Sequence, residues 1–475
     1  MKAFSYYPNK NNLFILFGVV LLIRIIVFGF YIQKNEYYKQ PDSGDYHHAA
    51  ISISLGKGMH RSDNNKPMFW RTPGYPLYLS WFYQIFGIKS FKFEDNRPAQ
   101  IASIIIQIIL DSLMAILIFF LALLLTKSLA ISWITAWIYV IHIGFILSST
   151  YILTETLGLV FIFPFFYYFY KSFGKQNWIK PILLAALFLS LHTWIRPMGQ
   201  FLSVVSAIII LIADQIAWKV KFKKIALFML VFFMLIAPWF VRNYNLTGKI
   251  FFCPMLGLYL NTFNAPKIVR DTKGIPLRQA IDSQYAIANK EAVKEYLIAR
   301  AQGKHLVSEM VHMKAALPVI LQHPFLFIRD WIKEVLKSTL DLYSSQLVEF
   351  AKGSYYYDPL EEFLTEKFTE CLYKQKMHPF MRLIVYLELL FAILLWIGLL
   401  AGASVFMLYP LIKQFKVSDC IKKVGLLWLK ISPMIGAFVI MTGGFGYARL
   451  RLPAEPLMTI LSLTFWFWLF NKNKG

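Results

Sequence analysis

The chain has 475 residues, of which 57% are hydrophobic, 17% aromatic and only 16% charged, with a net charge of +23. A soluble globular protein carries charge on about 25% of its residues, and a nucleic-acid-binding module gathers its basic residues into a patch or stripe. Neither description fits: apolar runs reaching the roughly 20 residues needed to cross hydrocarbon recur along the sequence and indicate a polytopic helical membrane protein.

About ten runs are predicted as spans, near 13–32, 99–125, 131–149, 152–170, 180–197, 200–217, 225–241, 383–410, 424–442 and 454–470. Helices satisfy their own backbone in lipid. The alternating ten-residue segments of an outer-membrane barrel are absent, as is any internal repeat. The expected fold class is therefore all-α and polytopic, with external juxtamembrane helices and an external helical region. No small-residue cleavage site follows the first run, so it is expected to stay as a signal anchor. With the amino terminus inside, Lys2, Lys10, Lys127, Lys171, Lys175, Lys180, "KVKFKK" (Lys219 to Lys224), Lys413, Lys416, Lys422, Lys423, Lys472 and Lys474 all face the cytoplasm. Asp419, and Asp214 near a helix end, are the acids on that side. The positive-inside rule thus predicts a cytoplasmic-membrane protein with both termini inside. Much of the basic excess is accounted for by lysines facing anionic headgroups.

Within the first span lies Arg24, and within the second Asp111 with Gln107 one turn away. At 1.5 Å per residue they fall roughly 12 and 20 Å below the outer face, within reach of a structural ion pair. Residues 33–98 read as membrane-surface helices. They open on "PDSGDYHHAA", where Asp42, Asp45, Tyr46, His47 and His48 crowd together. Helical spacing runs from Asp45 to Leu55 and stops at Gly56 and Gly58. "RTPGYPLYLSWFYQIFG" follows, a turn and then an aromatic stretch suited to the headgroup layer. His47, His48 and His60 with Asp42 raise a divalent cation as a possibility. Adjacent histidines on a helix diverge by about 100°, however, and no zinc motif is present.

"STYILTETLGL" places Thr154 and Glu155 at the outer end of the fourth span, where a carboxylate also suits the helix dipole. Four outer ends supply arginine: Arg71 in "FWRTPGYP", Arg196 in "HTWIRPMG", Arg242 in "PWFVRNYNLTG", and Arg449 with Arg451 in "GYARLRLPAEP". Such arginines serve either as headgroup anchors or as a shared anionic site. "NLT" at Asn245 is a sequon, meaningful only in a eukaryotic host. Cys253 and Cys371 both fall outside, and spacing does not establish whether they pair. Residues 243–381 read as an external, mainly helical region, either a cap over the spans or an acceptor-recognition unit.

The order of motifs resembles the bacterial GT-C glycosyltransferases near the protein O-mannosyltransferase and aminoarabinose-transferase branch. It runs "PDSGDYHHAAISISLGKG", "RTPGYPL", "LTE", "WIRP", "PWFVRNYNLTG" and "RLRLP" over nearly the whole chain. The resemblance implies a GT-C-like fold with a catalytic membrane module (1–242), the external region (243–381) and carboxy-terminal spans (382–475). It implies inverting transfer of a sugar from a polyprenyl-phosphate carrier to a hydroxyl of a glycan, lipid or protein acceptor on the outer face. By motif the essential first-loop acid falls on Asp42, with Tyr46 four residues on, and the second acid on Glu155; Asp45 has no firm counterpart. A carboxylate can take the acceptor proton, and arginines can stabilise the departing phosphate. Arg449 and Arg451 lead as ligands, with Arg242, Arg196 and Arg71 behind. No cofactor is required, and nucleic acid is not an expected partner. A lipid-linked sugar flippase, an O-antigen-ligase-like enzyme and a purely structural membrane protein are the competing classes.

Overall fold

The computed structural model describes residues 8–33, 38–61, 66–174, 177–344, 379–408, 419–442 and 448–472. Among them the chain is helical, with a single isolated bridge between His60 and Pro67. Helix α1 (Lys10–Tyr31) is capped by Asn9, whose side chain accepts from Asn11 N. The juxtamembrane helices α2 (Ser43–Ser54) and α3 (Gly74–Phe86) follow, then a 3-10 turn (Phe93–Asn96) and the long α4 (Arg97–Thr126). Proline in its first turn suits a position where no N–H is needed. Next come α5 (Leu129–Ile141) and α6 (Ile143–Ser148), bent by 53° at His142. Then come α7 (Thr154–Lys171), α8 (Ile179–Ile195), α9 (Gly199–Ala213) and α10 (Trp218–Thr247).

Every predicted run contains a helix among the described residues, but length and composition do not by themselves establish about ten spans. Among the described residues six helices are long and apolar enough to cross a membrane, or up to eight if each bent pair is one span. Helices α8 and α9, at 17 and 15 residues, are short for the task.

The core is built around α7. Its Phe163, Phe165, Phe166 and Phe169 are wholly buried, as expected of a helix apolar on all sides and enclosed by others. Peripheral helices turn apolar side chains outward instead, as a lipid-facing helix would: α10 exposes Leu230, Phe233 and Met234. Arg24 and Asp111 form the expected pair, both fully buried. Arg24 also donates to Val140 O (3.2 Å) and Tyr139 O (3.4 Å), and the Tyr139 hydroxyl donates to Asp111. With its hydrogen-bonding capacity met, the pair ties α1, α4 and α5 together rather than facing a substrate. At the opposite, lysine-rich end, Asp214 is buried against Lys224.

Beyond α10 the chain forms α11 (Met255–Tyr259), a π-helical turn (Leu260–Asn264), α12 (Ala265–Lys273), α13 (Leu277–Ala301), α14 (Ser308–Gln322) and α15 (Pro324–Leu340). The last spans are α16 (Pro379–Ala403) with a π-helical turn (Ser404–Leu408), α17 (Asp419–Thr442) and α18 (Glu455–Lys472). Two 3-10 turns, Ala448–Leu450 and Leu452–Ala454, precede α18; Arg449 lies in the first and Arg451 between the two. Cys253 donates its thiol to Trp70 O, whereas Cys371 lies outside the described residues.

Candidate active site

Asp42 lies one residue before α2, in a turn that is tightly pinned. The buried Ser43 hydroxyl accepts from Gln40 N (2.8 Å) and donates to Ile152 O (2.8 Å), while Ile152 N donates to Tyr38 O (3.1 Å). These bonds fasten "PDSGD" to the turn leading into α7, so Asp42 and Glu155 arrive together despite their distance in sequence.

A second clamp joins "RTPG" to "WIRP". Thr72 Oγ1 donates to Ile195 O at 2.5 Å, and a Cβ at Gly74 would lie 2.7 Å from Trp194 O. Glycine is what lets α3 begin against the end of α8, and the docking brings Arg71 and Arg196 to the same rim. Gly158 of "TETLGL" does similar work, since a Cβ there would lie 2.9 Å from Arg196 Cδ.

The acids and arginines form one cluster. Arg71 Nη2 is 2.7 Å from Asp42 Oδ1, and Arg71 Nε donates to Asp45 Oδ2 at 3.0 Å, where Trp70 Nε1 also donates at 3.1 Å. Arg449 Nη2 lies 3.5 Å from the other Asp42 oxygen. Arg196 Nη1 reaches Glu155 Oε1 at 3.0 Å and Thr154 Oγ1 at 3.2 Å. Arg71 also sits over the Tyr46 ring, 5.2 Å from its centroid, and Tyr75 meets that ring edge-on. Below this, the Tyr75 hydroxyl donates to Gln107, which donates onward to Tyr151 O.

Burial and charge together set the titration of these groups. Burial pushes the Asp42 carboxyl up, but Arg71, Arg449 and Arg196 together outweigh it and hold the group below the usual carboxylate range. Burial pushes the Tyr46 phenol up to about 12. Burial opposes the Arg449 cation, yet Glu155 and Asp42 more than compensate and keep it charged. Glu155 Oε2 is buried and has no hydrogen-bond partner, in contrast to its Oε1.

Two arginines expected here are employed elsewhere. Arg451 is only 4% exposed: its Nε donates to Glu455 Oε1 at 2.7 Å, its Nη1 donates to Ser338 O, and its guanidinium lies over Tyr343. Two residues from Arg449, it points into the packing between α15 and α18. Arg242 stacks on Trp239, 4.4 Å from the ring centroid, and donates to Met59 O and Met68 O at 3.3 Å. It braces the loop before α3. The weak cation set of Asp42, His47 and His60 does not assemble either. His47 is fully buried, its Nδ1 accepts from Tyr83 Oη (2.6 Å) and its Nε2 donates to Phe91 O (3.1 Å). Burial lowers its pKa to about 4, consistent with a neutral ring held by both nitrogens. Among the described residues no three His, Cys, Asp or Glu side chains gather to hold an ion.

Tyr259 was not expected. At the end of α11 it lies within the electrostatic reach of Arg71, Asp42 and Arg449. Nothing in "PMLGLYLN" marks it; its place depends on Gly257, whose Cβ would lie 2.0 Å from Glu309 O of α14.

Residues 90–250 match the model of the dolichyl-phosphate-mannose-protein mannosyltransferase family, a stretch that includes Glu155, Arg196 and Arg242. No curated protein sequence matches the chain. Among solved structures it aligns with the apo oligosaccharyltransferase of Archaeoglobus fulgidus at 12% identity and a TM-score of 0.49, over 96% of this chain and 50% of that one. It aligns with ArnT from Cupriavidus metallidurans bound to undecaprenyl phosphate at 12% identity and a TM-score of 0.38, over 96% and 78%. The chain thus spans half the length of the archaeal enzyme. Over residues 90–250, well under half of its length, the chain is similar to the dolichyl-phosphate-mannose-protein mannosyltransferase family, and that stretch carries the "LTE", "WIRP" and "PWFVRNYNLTG" motifs.

Proposed function

We propose that this protein transfers a sugar, with inversion, from a polyprenyl-phosphate carrier to an acceptor hydroxyl at the outer face of the cytoplasmic membrane. One observation carries the reading: Asp42 and Glu155 share a single cluster with Arg71, Arg196 and Arg449. Three guanidinium groups there match an anionic phosphate, and each can engage it bidentately. The acceptor oxygen attacks the anomeric carbon as the bond from that carbon to the phosphate oxygen breaks, and the bonding pair leaves on the phosphate. The acceptor proton passes to a carboxylate. Asp42 is the better candidate for this step because its side chain is 33% exposed, against 7% for Glu155. A donor phosphate competes with Asp42 for Arg449 and Arg71, so its arrival loosens the field that depresses the carboxylate. Glu155 then orients Arg196, and its second oxygen is available to a sugar hydroxyl. Phosphate is a competent leaving group, so the arginines suffice to stabilise its charge. The lysine-rich opposite end supports placing the cluster outside.

The test is Asp42→Asn in reconstituted vesicles supplied with a polyprenyl-phosphate sugar. Turnover should fall by at least about a hundredfold, the usual scale for a lost general base, with melting unchanged. Turnover at the parent rate would remove Asp42 from this role. Movement of the carrier across the bilayer without transfer would favour the flippase.

A further inference from the structure

Helix α15 is turned with the wrong side out for a helix in water. Phe325, Ile328, Ile332 and Leu336 fall on one stripe at helical spacing and are 85%, 48%, 48% and 56% exposed. Its polar side faces inward: Asp330 and Ser338 are 6% and 1% exposed, and Glu334 pairs with Lys267 of α12. In water the opposite rotation would win, because burying each of those apolar side chains is worth about 1.5–3 kcal/mol.

The end of α15 explains the inversion. Thr339 O accepts from Trp396 Nε1 of α16 at 2.9 Å, and Glu388 of the same span accepts from Tyr343 N (2.6 Å) and Ser344 N (2.9 Å). Eight residues separate Glu388 from Trp396, roughly 12 Å along a helix axis. The chain therefore reaches down the side of a helix whose segment Arg382–Met407 is apolar enough to cross a membrane, and then climbs back. Helices α14 and α15, bent by 107° at His323, together also pass as a broken span or re-entrant loop. Leu321, 69% exposed, brings the end of α14 into the same apolar surface.

We infer that α14 and α15 form a re-entrant helical pair whose outer face is solvated by the acyl chains of the bilayer. The region beyond α10 is then not wholly a water-exposed cap; part of it is intramembrane and forms the lipid-side flank of the turn carrying Arg449, against which α15 packs. This inference stands apart from the chemistry proposed above. Its physical basis is that lipid rewards an apolar face turned outward at that depth, while the backbone remains satisfied within the helix.

The experiment places a nitroxide label singly at Phe325→Cys, Ile328→Cys or Ile332→Cys, with Cys253, Cys371 and Cys420 replaced by serine, in the full chain reconstituted in phospholipid nanodiscs. A label at the exposed Lys290→Cys of α13 is the aqueous reference. Collision with dissolved oxygen, which concentrates in hydrocarbon, is compared with collision with a water-soluble nickel chelate. Oxygen collisions severalfold above nickel collisions at the three stripe positions, with the reverse at Lys290→Cys, are expected. Nickel collisions matching those of the reference would show a water-exposed face and overturn the inference. Low collision frequencies with both reagents would show a protein–protein contact, such as a second copy of the chain, and would overturn it equally. The three positions are exposed and none belongs to the buried core, so a poorly folded variant at one leaves the others to decide.

Discussion

Arg449 and Arg451 stand two residues apart in "RLRLP", and only one joins the acids. Arg449 lies in a 3-10 turn and Arg451 just beyond it, so the two side chains point to different sides, and sequence alone does not show which arginine faces Asp42. Both were plausible phosphate ligands because type and motif are the same; burial against Glu455 separates them. Arg451→Ala leaves the buried Glu455 carboxylate without its cation and should cost about 3–5 kcal/mol of stability. Thermal unfolding in detergent measures it, and an unchanged transition would contradict the pairing. Arg449→Ala should act on titration instead. Asp42 is depressed by its arginines, so it is ionised and able to accept a proton down to a pH below the ordinary carboxylate value of about 4. Activity is lost as pH falls through that depressed value. Removing Arg449 lets the carboxyl rise, so the acid limb of kcat/KM should move to higher pH. If the limb stays in place, another group sets it. Glu155 and Arg196 were legible as ionisable residues at span ends, where such residues are costly unless used, and Asp42 and Arg71 as charged members of the motifs "PDSGDY" and "RTPGYP" between the first two spans. Tyr259 was not, since its position comes from packing between α11 and α14.

Helices were the most legible elements. Apolar runs fix where they are, and His142, Gly248 and the proline-bearing turns fix where they break or stop. Periodicity in "HPFLFIRDWIKEVL" shows a stripe but not what the stripe faces, which is why α15 reads from sequence as an ordinary external helix. Element contacts at the site depend on glycines whose roles differ. At Gly158 the added methyl would meet the Arg196 side chain, a neighbour that can swing away. Gly158→Ala should therefore retain its melting temperature while weakening donor binding, seen as a raised KM, because Arg196 leaves Glu155. At Gly257 the methyl would meet the Glu309 carbonyl 2.0 Å away, and a backbone atom within a helix cannot yield alone. Gly257→Ala should destabilise by about 1–3 kcal/mol, the usual cost of overpacking. Equal melting temperatures for the two variants would show that α11 and α14 are not firmly packed.

For the whole molecule the two ends differ in chemical character, and that difference predicts an orientation. At the site end, carboxylates and arginines pair with each other across α2, α3, α7 and the turn before α18. At the other end Lys171, Lys180, Lys219 and Lys223 border the short connections, and Asp214 is internally neutralised by Lys224. Each lysine near an anionic leaflet is worth about 1 kcal/mol, so several of them outweigh the small cost of placing either end in water. The lysine end should face the cytoplasm. Single-cysteine variants check this directly, with Lys57→Cys in the loop after α2 and Lys180→Cys at the start of α8, both exposed positions. A membrane-impermeant maleimide added to intact spheroplasts should label Lys57→Cys at once and Lys180→Cys only after permeabilisation. The reverse pattern would put Asp42 and Glu155 on the cytoplasmic side. There the same cluster would meet a carrier before its export rather than after, and transfer at the outer face would have to be abandoned while the site geometry stood unchanged.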